Sequence, residues 1–122
     1  MKILFVCEAN TCRSPMAEVI FRNIAKRNGR TDIVVKSAGI YADNGEPMME
    51  EARLALIECG EEVGGKLHKS TRLTQELHDE FDRVIDVRRF FDPYGGKYST
   101  YVDLCKQLQI ECQKLYDAIC KT

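Results

Sequence analysis

The sequence predicts an α/β domain with a parallel sheet covered by helices on both faces. Three observations predict it. Short apolar runs at 2–6, 32–39 and 83–87 alternate with stretches whose apolar residues recur every three or four positions; this alternation implies right-handed βαβ units. Capping and turn residues separate the two kinds of segment. The length of 122 residues suits one domain with one core, and no repeat, linker or low-complexity stretch divides it.

Each element has its own signal. "KILFV" (2–6) reads as a short buried strand. Ser14-Pro15 reads as a helix N-cap followed by proline at the first helical position, and Gly29 stops that helix. Met16, Val19, Ile20 and Ile24 form its apolar stripe. "DIVVKSAG" (32–39) is a second strand that ends in turn residues. Pro47 opens another helix and Gly60 closes it, with Ala52, Leu56 and Cys59 on one face. "KLHKS" (66–70) is expected to hold a short third strand, Thr74 to cap a helix through Phe81, and "RVIDV" (83–87) to be a fourth strand. From about Ser99 to the end, Val102, Cys105, Leu108, Cys112, Leu115 and Ile119 predict an amphipathic closing helix.

Composition narrows the function. Eighteen Lys and Arg stand against nineteen Asp and Glu, a net charge of −1. That balance gives no reason to expect nucleic acid or a membrane surface as partner, so any anion site must be local. The apolar start, Ile3 to Cys7, is too short for a signal-peptide core, and no span reaches transmembrane length. A reducing, cytoplasmic location is the expectation, with the six cysteines as free thiols.

The chemistry concentrates in "VCEANTCRSP" (6–15), between the first strand and its helix. Parallel sheets bind ligands beyond the carboxyl ends of their strands. A loop entering a helix there aims backbone N–H groups and the helix dipole at one spot. Arg13 adds a planar fork matched to two oxygens of a tetrahedral oxyanion. Cys7 sits at the base of that cradle, where its thiolate is the nucleophilic species, and Ser14 can donate to the sulfur. The loop lacks GxxxxGK[ST] and GxGxxG, which excludes those nucleotide cradles. A zinc site from Cys7, Cys12 and His68 is a poor fit, since Cys-x4-Cys is not finger spacing and no second pair follows. No metal or cofactor is expected. The Cys-x5-Arg spacing arises by chance in a chain this rich in cysteine, and Cys7 could also be a buried strand-end thiol. The strand–loop–helix context favours the nucleophile.

"FVCEANTCRSPMAE" (5–18), with "SAG" (37–39), the single His68 and "DPYGG" (92–96) in that order, resembles the low-molecular-weight protein tyrosine phosphatases of bacterial type, with features of the protein-arginine phosphatases. The resemblance covers most of the chain. It implies a flavodoxin-like three-layer sandwich with a four-stranded parallel sheet, order 2-1-3-4. It implies a phosphate-binding loop from Glu8 through Ala9, Asn10, Thr11, Cys12 and Arg13 to Ser14, with Cys7 as nucleophile and Arg13 as phosphate ligand. Asn10, Ser37 and His68 would hold the loop's shape, and Ser14 would stabilise the thiolate. Asp92 would be the general acid and then the base for hydrolysis of the phosphocysteine, although "DPYGG" also reads as a plain turn. Tyr41 and Tyr94 are either core aromatics or walls of a substrate pocket. Cys12, five positions from Cys7, is a candidate redox partner that could form a reversible disulfide with it.

Two departures from the family pattern stand out. Ala9 occupies a position where glycine is usual, so a left-handed backbone there would be costly. The chain also runs "VIDVRRFFDPYGG" directly, which predicts a single domain over 1–122 shortened between strand 4 and the DPYGG loop. The stretch from Val87 to Asp92 can span at most about 16 Å, enough to cross the strand ends.

The expected function is hydrolysis of phosphorylated protein side chains, phosphotyrosine first, through a phosphocysteine. The partners are a phosphoprotein and an inorganic phosphate-like oxyanion in the loop. One alternative is protein-arginine phosphatase activity, suggested by Thr11, whose hydroxyl could pair with a guanidinium N–H or simply bond within the loop. Another is arsenate reduction, disfavoured because no cysteine lies between Cys59 and Cys105. A third is a non-catalytic oxyanion- or phosphoprotein-binding module, suggested by Ala9 and the missing segment.

Overall fold

The structure, a computed structural model, describes residues 1–65 and 67–120. Its centre is β1 (Lys2–Cys7), paired in parallel with β2 (Val34–Gly39) on one side and β3 (Arg83–Asp86) on the other. Alternate side chains of a strand point to opposite faces. Ile3, Phe5 and Cys7 therefore enter the larger core, while Leu4 and Val6 enter a smaller one on the other face. Both faces of β1 are buried, which is why "KILFV" reads as a continuous apolar run rather than an alternating one.

The larger core is closed by α1 (Arg13–Arg27), α2 (Glu50–Glu58) and α4 (Tyr98–Cys120). The predicted stripe of α1 is buried, as are Val102, Cys105, Leu108 and Cys112 of α4. Phe21 stands between Phe5 and Tyr116, with ring centroids 5.7 and 5.9 Å away in tilted pairs. Such pairs add about 0.5–1.5 kcal/mol beyond the area they bury. On the opposite face lies the short α3 (Gln75–Glu80), capped by Thr74, whose side chain accepts from the Leu77 N–H at 3.1 Å. Leu73, Leu77 and Phe81 pack there against Leu4, Val6 and Ala38. The three-layer α/β architecture is as expected.

The strand count is not. Among the described residues the sheet has three strands in the order β2-β1-β3, and "RVIDV" supplies the third and edge strand rather than a fourth. The expected third strand fails at 67–70, and Lys66 lies outside the described residues. The backbone of Ser70 bonds to a loop instead of a ladder: its N–H donates to the Glu46 carbonyl and its carbonyl accepts from the Gly45 N–H. Just beyond, Thr71 N–H donates to Asn10 Oδ1 and Arg72 N–H to Asn44 Oδ1. Only an isolated bridge, Gly39 to Arg72, touches the sheet.

Two helix starts also shift. Cys12, not Ser14, is the N-cap of α1, because the Ser14 hydroxyl is engaged inside the site described below. α2 begins at Glu50 instead of Pro47, because Met49 remains extended and donates its N–H to the Thr11 carbonyl at 2.9 Å. The closing helix runs to Cys120, and the last two residues of that expectation lie outside the described residues. No helix among the described residues is long and apolar enough to cross a membrane.

Candidate active site

The loop from Cys7 to Ser14 joins the end of β1 to the first turn of α1. Its shape depends on Asn10, which is fully buried and is the one non-glycine residue with positive φ, at 57°, among the described residues. Asparagine tolerates that region better than most residues. The strain expected at Ala9 is absent, because the left-handed turn falls one residue later.

The Asn10 side chain uses its full set of partners. Nδ2 donates to Ser14 Oγ at 2.8 Å and to Ser37 Oγ at 2.9 Å, and Oδ1 accepts from the Thr71 N–H at 2.9 Å. Its carbonyl accepts from His68 Nε2 at 2.7 Å. A carbonyl can only accept, so Nε2 carries the hydrogen. Ser37 passes the chain on, donating to Glu18 Oε1 at 2.6 Å. The structure thus brings Asn10, Ser37 and His68 together, and adds Glu18 and Thr71.

Gly39 explains the third letter of "SAG". A Cβ there would lie 2.5 Å from the Glu8 carbonyl oxygen and 2.8 Å from the Asn10 nitrogen, closer than real contacts allow. The loop can rest on β2 only where the strand has no side chain. Cross-links from Ile40 N–H to the Cys7 carbonyl and from Tyr41 N–H to the Glu8 carbonyl complete the seam.

Cys7 is buried, with Sγ 2.8 Å from Ser14 Oγ. Since Asn10 donates to that oxygen, the serine's own hydrogen is available to the sulfur; the alternative acceptor, the Ala38 carbonyl, is at 3.5 Å. Among the described residues the backbone N–H groups of Glu8, Ala9, Asn10, Thr11 and Cys12 donate to no protein acceptor. Glu8 and Ala9 are exposed and Thr11 is half-buried. A run of unpaired N–H groups in the loop between a thiol and a helix start is the kind of feature that can receive an anion.

Arg13 is 6 % exposed. Its Nη1 donates to the carbonyls of Arg88 at 3.0 Å and Phe90 at 3.1 Å, and its Nη2 faces Asp92 Oδ2 at 3.6 Å. The short connector therefore does bring Asp92 to the loop, with its carboxylate half-exposed beside the guanidinium. Backbone carbonyls leave no mark in a sequence, so the roles of positions 88 and 90 were not legible beforehand.

Cys12 is buried, its Sγ 3.9 Å from Met16 Sδ. Burial first, then the charges of Asp92 and Cys7, push its thiol up to about 12. Tyr41 and Tyr94 are 71 % and 76 % exposed, which removes the core-aromatic reading. Tyr41 is tied through its backbone to Glu8, and the Tyr94 N–H donates to Asp92 Oδ1 at 3.1 Å, so each stands beside a site residue.

Comparison with known proteins bears on this geometry. The family described as low molecular weight phosphotyrosine protein phosphatase matches residues 2–90. A protein-arginine-phosphatase of Bacillus subtilis (strain 168) is 42 % identical over 151 alignment positions, covering 99 % of this chain and 95 % of the relative. That alignment is longer than the 122-residue chain, so a stretch of the relative has no counterpart here. The low molecular weight protein-tyrosine-phosphatase PtpB of Staphylococcus aureus is 31 % identical over 144 positions, 98 % of this chain and all of the relative. Among solved structures, the YwlE arginine phosphatase carrying a phosphorylated active-site serine superposes with a TM-score of 0.89 at 29 % identity, covering 99 % of this chain and 97 % of that one. The loop, its supporting network and these matches agree: the chain belongs to the low molecular weight phosphotyrosine protein phosphatase family.

Proposed function

We propose that this phosphatase transfers the phosphoryl group of a protein side chain to Cys7 and then to water. The observation that carries the reading is the convergence on one loop of a sulfur held by Ser14, five unpaired N–H groups, and the Arg13–Asp92 pair. The Cys7 thiolate attacks phosphorus, forming the S–P bond as the bond to the leaving group breaks. The loop N–H groups and Arg13 take the three equatorial oxygens. Asp92 gives its proton to the leaving atom, then takes one from the water that attacks the phosphocysteine. Ser14 donates to the sulfur whenever it is a thiolate.

The substrate is the finer question. Greater identity to an arginine phosphatase than to PtpB, together with Thr11, favours phosphoarginine. Phosphotyrosine is the second reading, supported by the family's own description. Arsenate reduction and a purely binding role lose ground. The first needs relay cysteines shortly after the edge strand, and no cysteine lies between Cys59 and Cys105. The second rested partly on strain at Ala9, which the backbone does not show. The remaining proposals are one domain over 1–122, shortened before Asp92, a cytoplasmic location, an oxyanion held in the loop, and a Cys7–Cys12 redox pair.

The decisive experiment compares wild type with Cys7→Ser on a simple aryl phosphate. The variant should lose hydrolysis while inorganic phosphate still binds, because nucleophile and cradle are separate parts of the loop. Full activity in Cys7→Ser would remove the phosphocysteine mechanism.

A further inference from the structure

Arg13 can orient an oxyanion only if its own guanidinium is held. A guanidinium has five N–H groups in a fixed fork. Here both hydrogens of Nη1 are taken by the carbonyls of Arg88 and Phe90, which leaves the Nε–Nη2 edge for oxygens. Both carbonyls belong to the few residues that link β3 to Asp92, and backbone acceptors are only as steady as the segment carrying them.

One side chain steadies this segment. From position 88 to Asp92 only Phe90 is buried, at 8 % exposure, while the neighbouring Phe91 is 67 % exposed. The Phe90 ring borders a cavity of about 240 Å³ between the sheet edge and α4, shared with Phe5, Ile85, Val87, Leu108 and Leu115. The Arg89 guanidinium lies 4.5 Å from the ring centroid and pairs with Glu111 of α4 at 3.8 Å. The Phe90 N–H closes the turn onto the Val87 carbonyl at 3.2 Å.

We propose that Phe90 is a positioning residue for phosphoryl transfer. Its buried ring anchors the short connector to α4 and so holds the two carbonyls that aim Arg13. This rests on the phosphatase reading above. On this reading one aromatic side chain sets the phosphate-binding guanidinium.

The test is a double-mutant cycle between Phe90 and Arg13, read as kcat/KM on an activated aryl phosphate. Inhibition by inorganic phosphate is measured alongside, with thermal melts as the folding control. Phe90→Ala should lower kcat/KM by about tenfold to a hundredfold, the scale of a misplaced catalytic group. It should weaken phosphate inhibition as well, because Arg13 serves both the ground and the transition state. Phe90→Leu, which keeps an apolar anchor, should recover most of both. In the Arg13→Ala background, Phe90→Ala should cost almost nothing more. If Phe90→Ala does not fold, Phe90→Val takes its place in the same cycle. Wild-type kinetics in the folded variant, or a loss that simply multiplies with that of Arg13→Ala, would overturn the positioning role alone. A wild-type protein that neither hydrolyses aryl phosphate nor responds to phosphate would overturn the reading beneath it.

Discussion

Asn10 Nδ2 lies 2.9 Å from Ser37 Oγ, so a single buried amide fastens the anion loop to the second strand. Asn10→Ala removes that bond and two others, and leaves a β-carbon in a left-handed turn. Unfilled buried partners cost about 1–3 kcal/mol and the backbone about 1–2 kcal/mol more. Urea unfolding should show about 2–5 kcal/mol of destabilisation. Asn10→Gly should be about 1 kcal/mol milder, since glycine accepts the turn. Equal losses would mean that the backbone at this position costs nothing.

Asp92 faces Arg13 at 3.6 Å from a half-exposed position, and on the proposed mechanism it protonates the leaving group. Asp92→Asn should slow substrates with poor leaving groups by on the order of 10²–10⁴ and activated ones far less. A leaving-group series measures this. A uniform loss across the series would assign the proton to another donor.

Thr11 is half-buried and anchored at its carbonyl by the Met49 N–H. Thr11→Ile should depress kcat/KM for phosphoarginine peptides and spare phosphotyrosine peptides, because a desolvated guanidinium N–H would lose its partner. Side-by-side assays give the ratio. If it does not move, Thr11 does not select the substrate.

Three buried thiols make the fold sensitive to alkali. Burial pushes Cys12 and Cys112 up to about 12 from an ordinary value of 9.0, and raises Cys105 in the same direction. A raised folded value means that the unfolded chain releases these protons first. Their contribution is intact below pH 9 and is lost as pH climbs toward 12. Cys12 and Cys112 should each remove up to about 1.4 kcal/mol by pH 10, with Cys105 adding in the same direction. Urea midpoints at pH 8, 9 and 10 should fall accordingly, and Cys112→Ala should flatten the slope. A flat profile would mean that these thiols ionise as readily folded as unfolded.

Much of this molecule could be read from periodicity. β1, β2, α1 and α4 lie where apolar spacing put them, because each buries a long, regular face. The misreadings share a cause. Ser14 looked like a cap and 67–70 looked like a strand, yet both segments give their polar groups to the Asn10 network. At a functional site, side chains compete with secondary structure for the same hydrogen bonds. Cys7, Arg13, Asn10, Ser37 and His68 could be singled out because each enters the loop's bonding through its side chain. The hold on Arg13 was not, since any residue at 88 offers the same carbonyl.

The position of β1 between β2 and β3 also sets an order of opening. Amides of a central strand buried on both faces exchange with solvent only in the largest unfolding events, whereas exposed segments open in small ones. β1 ends at Cys7, and the segment beyond the edge strand ends at Asp92. The Cys7 thiol is thus mounted at the end of a strand buried on both faces, and the half-exposed Asp92 carboxylate on a segment beyond the sheet edge. Amide exchange should therefore be slower through β1 than around Asp92.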